Sequence, residues 1–247
     1  MLSDKELHTL RQNAKVHKNI FDTIKKITKP GTRATEIDEL AGKMCREAGV
    51  IPAFLWVYDY PNNIQTSVND VVVHGIPRAS IVFKEGDVVT FDFGVKDTKH
   101  GVHTDSAFTM IVGDGPHDPK TVDFLEVNQE ALKRWIAQAR DGNRVWDIGH
   151  AVQRYVESKG YHIVKELTGH GIGKKLHEEP YIYNFGTPGT GKKLKKWMLL
   201  AIEPILGMTS GKMVDKGDWE IYIADGSLGS QFEHTILITD GDPEIII

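Results

Sequence analysis

Apolar residues recur at helical spacing in two places near the start of the chain. The first run predicts a helix from about Lys5 to Thr28, and the second predicts a helix from about Thr35 to Ala48. Turn signals follow at residues 60–63 and 84–87, and two runs rich in apolar and β-branched residues predict strands: VVTFDFGV (88–95) and SAFTMIV (106–112). The first half of the chain is therefore predicted to contain two helices followed by strands.

The same order of patterns begins again in the second half. Helical spacing predicts helices from about Lys120 to Arg140 and from about Val145 to Ser158. Four strand candidates follow them: YHIV, WMLLAIEPIL, EIYIA and HTILIT. We predict an α+β fold built from two similar halves, about residues 5–115 and 119–247, within a single domain that spans residues 1–247.

A constant shift of 111 positions superposes the two halves. It aligns Gly31 with Gly142, Arg33 with Arg144, Glu36 with Asp147, Ile37 with Ile148, and Gly49 with Gly160. The same shift carries Asp92 onto Glu203, and a small insertion relates Asp105 to Glu233. A chance match would account for the helices but not for acids placed in apolar strands, where a carboxylate is costly unless something binds it. If the halves pack about a pseudo-two-fold axis, four carboxylates converge between them.

Composition narrows the class of protein. The 34 acidic and 30 basic residues give a net charge of -4, which argues against a nucleic acid partner. No apolar run approaches the roughly 20 residues that span a bilayer, so no membrane partner is expected. The single cysteine, Cys45, lies on the apolar side of a predicted helix, where we expect a buried thiol and no disulfide. A reducing cytoplasmic location is the corresponding expectation.

The candidate chemistry lies in four acids and one histidine: Asp92, Asp105, His170, Glu203 and Glu233. Taken singly, each acid is more often a solvated residue at the end of a strand. As a set they match a hydrolase site with two metal ions. In such a site carboxylates hold both ions, and a water shared by the ions loses a proton and supplies the attacking hydroxide. Structural zinc would require cysteines, and a calcium loop would place its acids in one short segment.

Five separated motifs occur in order along nearly the whole chain: SVNDVVVHGIP (67–77), FDFG with TDS, GHGIG with HEEP, IEP (202–204) and QFEHT (231–235). Their order and approximate spacing resemble those of the type I methionine aminopeptidases. Five motifs in order are far more specific than any one of them. The resemblance implies the pita-bread fold, in which two pseudo-symmetric halves enclose a dinuclear metal centre, and a hydrolase that removes N-terminal methionine.

The resemblance also implies roles for individual residues. The implied metal ligands are Asp92, Asp105, His170, Glu203 and Glu233. Asp105 and Glu233 would bridge the two ions, and Glu203 would also transfer protons. His74 would hydrogen-bond near the scissile amide nitrogen, and His177 would stabilise the oxyanion. The cofactors would be two divalent ions of Co, Mn, Fe or Zn, all of which accept carboxylate and imidazole ligands.

The substrate pocket that the resemblance implies departs in part from the family. Tyr60 and Trp219 match it and offer apolar surface for methionine, whereas other side chains replace the usual ones: Phe54, Val57, Gln65 and Leu176. We expect the Gln65 amide to turn away and bond the backbone, which keeps the pocket apolar. An amide that reached inward would weaken methionine binding. Expected partners are N-termini of nascent or short polypeptides, with transient ribosome contact.

Three alternatives stay open at this point. The nearest is an aminopeptidase or Xaa-Pro peptidase of the same fold with a different first-residue specificity. A second is a non-catalytic binding protein of the same fold, although all five implied ligands are present. The third is nucleotide binding by GTPGTGKK (186–193), but Lys193 stands where a phosphate loop needs Ser or Thr, and no helix pattern follows.

Overall fold

The computed structural model describes residues 2–247. Its four α-helices are α1 (Asp4–Ile27), α2 (Ala34–Ala48), α3 (Pro119–Gln138) and α4 (Val145–Ser158), and a short 3-10 helix covers Val57–Asp59. All four predicted helices are thereby confirmed, with bounds within two residues of those expected. Within residues 2–247, no helix combines the length and apolar character that crossing a membrane requires.

Fifteen short strands complete the fold. In chain order they are β1 (Val50–Pro52), β2 (Gln65–Val68), β3 (Val71–Val73), β4 (Val88–Asp97), β5 (His103–Ile111), β6 (His162–Ile163), β7 (Thr168–Gly171), β8 (Glu178–Tyr183), β9 (Leu199–Ile202), β10 (Ile205–Gly207), β11 (Met213–Asp215), β12 (Ile221–Ile223), β13 (Gly229–Gln231), β14 (His234–Leu237) and β15 (Glu244–Ile245).

Two sheets carry the centre of the molecule. In the first half, β4 pairs along one edge with β1 and β2 in succession and along the other edge with β5, all antiparallel. In the second half, the strand order is β15-β14-β9-β7-β8. Helices α1 and α2 bury their apolar faces, Ile20 and Ile37 among them, in the same core as the buried side of β4.

The two halves repeat in detail. Arg33 and Arg144 each precede a helix and form isolated bridges with Val82 and Lys193, which lie 111 positions apart. The preceding glycines also correspond: the Gly31 and Gly142 amides donate to the carbonyls of Phe83 and Leu194, at φ angles of 93° and 92°. Such left-handed angles strain any residue with a Cβ. The sequence repeat is therefore a repeat of three-dimensional structure.

Backbone and side-chain hydrogen bonds between β5 and the segment 231–235 join the two halves, and we call this set of bonds the seam. The Glu233 amide donates to the Ala107 carbonyl at 2.9 Å. On one side of this bridge, the Thr235 hydroxyl donates to the Asp105 carbonyl at 2.7 Å, and on the other the Thr109 hydroxyl donates to the Gln231 carbonyl at 2.7 Å. The segment 231–235 therefore lies beside β5, and this register brings the acids of the two halves together.

Several details refine the expectations from sequence. The run WMLLAIEPIL forms two strands, β9 and β10, because Pro204 lacks an amide proton and cannot continue the ladder. A turn follows β4, where the Asp97 carboxylate accepts hydrogen bonds from the amides of Lys99, His100 and Val102. Residues 184–198 contain no helix, so the phosphate-loop alternative lacks the element that it requires.

Candidate metal centre

One cavity of about 320 Å³ lies where the two halves meet. All of the residues singled out from sequence line it: Phe54, Val57, Tyr60, Gln65, His74, Asp92, Asp105, His170, Leu176, His177, Glu203, Trp219 and Glu233. The fold thus gathers side chains that are spread over nearly 180 positions of sequence into one site.

The β4–β5 hairpin positions the two aspartates. Asp92 lies directly opposite Ala107, and Asp105 is two residues from Ala107 on the same strand. Directly opposite residues, and residues two apart on one strand, project from the same face of a sheet, so both carboxylates point the same way. Glu233 also lies opposite Ala107, on the other side of β5. The strand register therefore surrounds Ala107 with three carboxylates.

Glu203 and Glu233 stand at matching ends of paired strands in the second half. Glu203 follows β9 and Glu233 precedes β14, and these strands pair so that Ile202 lies opposite His234. Both glutamates are buried. The Gln231 amide nitrogen donates to Glu203 Oε2 at 3.1 Å, which orients that carboxylate.

His170 lies on β7, between β8 and β9. The glycines next to His170 leave room for the neighbouring strands, since a Cβ at Gly169 would lie 2.5 Å from the Ala201 carbonyl oxygen. They allow strands to approach closely. The ring Nδ1 lies 2.9 Å from the Gly171 carbonyl, which leaves Nε2 at 3.6 Å from Glu203 and 3.8 Å from Asp105.

These side chains form groups that can each hold a metal ion. The groups with ligand atoms within 4.8 Å of one another are Asp92, Asp105 and Glu233; His170, Glu203 and Glu233; and Asp105, His170 and His177. Asp105, Glu233 and His170 each belong to two of these groups. Of these three, the two carboxylates each have two oxygens and can therefore bridge two ions.

The electrostatics of the site favour bound cations. Burial raises the pKa of Asp92 to about 7, and burial together with the neighbouring carboxylates raises the pKa of Asp105, Glu203 and Glu233 well above the ordinary range. Buried oxygens of Asp92, Asp105 and Glu233 lack a hydrogen-bond donor among residues 2–247, and no Lys or Arg of that range lines the cavity. Four clustered carboxylates with one imidazole therefore fit divalent ions with oxygen and nitrogen ligands.

Two further histidines lie beside this cluster. His74 has a left-handed backbone, with φ of 60°, and its partial burial lowers the pKa of its imidazole to about 4, so the ring is neutral near pH 7. His177 is exposed at the cavity, 4.5 Å from the His170 ring between centroids, and stacks at 5.9 Å on Tyr58. Both histidines can therefore donate or accept hydrogen bonds within the site.

The remaining wall is largely apolar. Tyr60 and Trp219 pack edge to face at 5.5 Å, and the Tyr60 hydroxyl donates to the Gly75 carbonyl at 2.8 Å. Phe54 and Leu176 are buried beside them. The backbone hydrogen bond expected for Gln65 is present, because its Oε1 accepts the His74 amide at 3.1 Å.

Sequence reasoning missed three residues that shape the site: Ala107, Gln231 and Tyr58. Gln231 had a usable signal, since it belongs to the motif QFEHT two positions before Glu233. Ala107 and Tyr58 had none, because their importance depends on strand register and on a contact made across the cavity.

Comparison with known proteins identifies the family of this chain. The family model of metallopeptidase family M24 matches residues 8–240. A methionine aminopeptidase of Clostridium acetobutylicum is 36% identical over 245 residues, which cover 99% of this chain and 96% of that protein. A methionine aminopeptidase 1 of Bacillus subtilis is 38% identical over 243 residues, covering 98% and 96%. The crystal structure of a methionine aminopeptidase from Thermotoga maritima superposes with a TM-score of 0.95 at 37% identity, covering 99% and 97% of the two chains. The chain therefore belongs to metallopeptidase family M24, and it has the pita-bread fold of that family's methionine aminopeptidases.

Proposed function

We propose that this protein is a methionyl aminopeptidase, a hydrolase that removes N-terminal methionine from polypeptides with two divalent metal ions. One observation supports this proposal above the others: four buried carboxylates and one imidazole surround a single cavity in a chain whose full-length relatives are methionine aminopeptidases. A non-catalytic binding protein would have no use for such a costly cluster of buried acids.

The ligands in this proposal are Asp92, Asp105, His170, Glu203 and Glu233, with Asp105 and Glu233 as bridges. Bound divalent ions polarise a peptide carbonyl and lower the pKa of water at the site. Co, Mn, Fe and Zn all suit this ligand set. The whole of residues 1–247 acts as one catalytic domain, because the seam along β5 makes each half supply ligands to the same centre.

Glu203 is the proposed proton carrier. Burial and the neighbouring Asp92 carboxylate raise the pKa of Glu203, which favours its acting as the acceptor of a proton from the attacking water. It then delivers this proton to the leaving amine. The hydrogen bond from Gln231 fixes Glu203 Oε2, which leaves Oε1 on the side that faces His170.

His74 and His177 are the proposed hydrogen-bond donors to the reacting peptide. His177 reaches into the cavity beside His170, where it can donate to the oxygen that becomes negative in the tetrahedral intermediate. His74 lies on the Gln65 side of the cavity and is placed to contact the scissile amide nitrogen. Its low pKa keeps the imidazole neutral, so it adds no positive charge that would compete with the metal ions.

The substrate in this proposal is the unblocked N-terminus of a nascent or short polypeptide. Its first side chain binds in the part of the cavity lined by Tyr60, Trp219, Phe54 and Gln65. We place the enzyme in the cytoplasm, in transient contact with the ribosome, without a nucleic acid or membrane partner. The flat faces of Tyr60 and Trp219 suit an unbranched thioether, since sulfur makes favourable contacts with aromatic rings.

A peptide panel tests the proposal. Purified protein, stripped with a chelator and reloaded with Mn(II) or Co(II), is given Met-Ala-Ser, norleucine-Ala-Ser, Gln-Ala-Ser, Ala-Pro-Ser and N-acetyl-Met-Ala-Ser, and mass spectrometry identifies the products. We expect metal-dependent cleavage with methionine and norleucine as the best first residues, and no cleavage of the acetylated peptide. Cleavage confined to Ala-Pro-Ser would assign the protein to the Xaa-Pro peptidases, and metal-independent cleavage would contradict the proposed site.

A further inference from the structure

The wall of the cavity contains one amide that the proposed reaction does not use. Gln65 is only 8% exposed and lines the cavity at the start of β2, with Asp92 as its cross-strand partner. Its Oε1 accepts the His74 amide, but its Nε2 donates to no atom of residues 2–247. A primary amide has two N–H donors, so Gln65 presents unsatisfied donors to the cavity.

The orientation of this amide is fixed by its surroundings. Exchange of Oε1 and Nε2 would place an NH2 group against the N–H of His74, which has no acceptor to offer. The segment that holds His74 is itself pinned to β2, because the Gly75 amide donates to the Ser67 hydroxyl at 3.0 Å and the Thr66 amide donates to the Gly75 carbonyl at 2.9 Å. The Nε2 group therefore occupies a defined place in the wall.

The Tyr60 hydroxyl is the other polar group of this wall, and it has no free proton to donate to a bound substrate. The single hydroxyl proton of Tyr60 is used by the Gly75 carbonyl, with the Ile64 carbonyl at 3.2 Å. A bound side chain that ends in a hydrogen-bond acceptor would meet Gln65 Nε2. A thioether sulfur is only a weak acceptor, whereas a sulfoxide carries a strong acceptor oxygen on a chain of the same length.

We propose that Gln65 extends the specificity of this cavity to N-terminal methionine sulfoxide, and that the enzyme hydrolyses peptides which begin with this oxidised residue. This inference rests on the proposed aminopeptidase function. In the reaction, water adds OH to the peptide carbonyl carbon and a proton to the departing amine, and the C–N bond breaks. The sulfur is neither oxidised nor reduced, so no further co-reactant is needed.

The decisive comparison is between two peptides that differ only in the first side chain, where the S=O group of one takes the place of a methylene group in the other. Wild-type enzyme loaded with Mn(II) is assayed with methionine sulfoxide-Ala-Ser and norleucine-Ala-Ser, and the ratio of the two kcat/KM values is measured. In Gln65→Met, which keeps the length of the side chain but removes the amide, we expect this ratio to fall about tenfold, the value of one hydrogen bond of typical strength. Any disturbance of the metal centre affects both peptides and cancels in the ratio.

Two matched variants separate the donor from other effects. Gln65→Glu keeps an acceptor for the His74 amide but removes both N–H donors. The ratio of kcat/KM for the sulfoxide peptide to that for the norleucine peptide should therefore fall as it does in Gln65→Met. Gln138→Met makes the same chemical change at an exposed position near the end of α3 and should leave the ratio unchanged. A fixed donor also predicts a preference for one of the two sulfoxide epimers, which both Gln65 variants should lose.

Binding supplies a readout that does not depend on turnover. Calorimetric titration with free L-methionine sulfoxide and L-norleucine should show the same change in relative affinity between wild type and Gln65→Met. If norleucine-Ala-Ser is hydrolysed but neither epimer of the sulfoxide peptide is, the inference about Gln65 is wrong and the aminopeptidase proposal stands. An unchanged ratio in Gln65→Met also overturns it. Failure to hydrolyse any peptide of the series overturns both.

Discussion

Neutralising Asp92 should have opposite effects on stability in the presence and absence of metal. Burial raises the pKa of Asp92 from 3.8 to about 7, so the folded state binds more protons than the unfolded state between these values. Without metal, the free energy of unfolding must therefore fall as the pH rises from about 4 to about 7, and it stays low above that. A difference of about three pH units corresponds to about 4 kcal/mol.

Asp92→Asn removes this charge while keeping the shape of the side chain. In the chelator-treated protein at pH 7.5, the variant should be more stable than wild type by up to about 4 kcal/mol, and the advantage should vanish near pH 4. The same variant loses one ligand of the group formed by Asp92, Asp105 and Glu233, so excess Mn(II) should stabilise wild type far more than the variant. Urea denaturation at pH 4.5, 6 and 7.5, with and without Mn(II), measures both effects.

Asp97→Asn is a matched control in the same hairpin. Hydrogen bonds from three backbone amides outweigh partial burial and lower the pKa of Asp97, so its charged form stabilises the fold. That contribution is present above the unfolded pKa and is lost as the pH falls through the lower folded value. Asp97→Asn should therefore destabilise the protein at pH 7.5. If Asp92→Asn also destabilised the metal-free protein at that pH, the account of the carboxylate cluster as an unpaired buried charge would be refuted.

The other predictions concern single side chains of the site. His177→Ala should lower kcat by roughly 10²- to 10³-fold, the effect of losing one oxyanion donor, while the metal content measured by atomic emission stays unchanged. A parallel loss of metal would make His177 a ligand, as its group with Asp105 and His170 permits. Glu203→Gln should abolish turnover, since an amide cannot carry the proton, and a single-turnover assay with full activity would exclude that role. Ala107→Leu should prevent metal binding in calorimetry, because the added atoms fill the space between three carboxylates, whereas unaltered metal affinity would show that the space is not used.

Local features of this protein could be predicted from its sequence. The four helices follow from apolar spacing, and the bounds of α4 agree at both ends, because a helix is specified by residues three and four apart. The repeat at a shift of 111 positions predicted two halves, and the corresponding bridges of Arg33 and Arg144 confirm it. Asp92 and Glu203 could be picked out because each interrupts an apolar run, and the repeat relates Asp105 to Glu233.

Other features were decided only when distant segments packed together. His170 lies on a strand because β8 and β9 pair with it from both sides, and no pattern within GHGIG indicates those partners. The amide of Gln65 is oriented by His74, and carboxylates meet around Ala107 because segments near positions 92 and 233 flank it. The raised pKa values have the same origin. Each carboxyl group alone would titrate normally in water, and only the fold removes the water and brings like charges together.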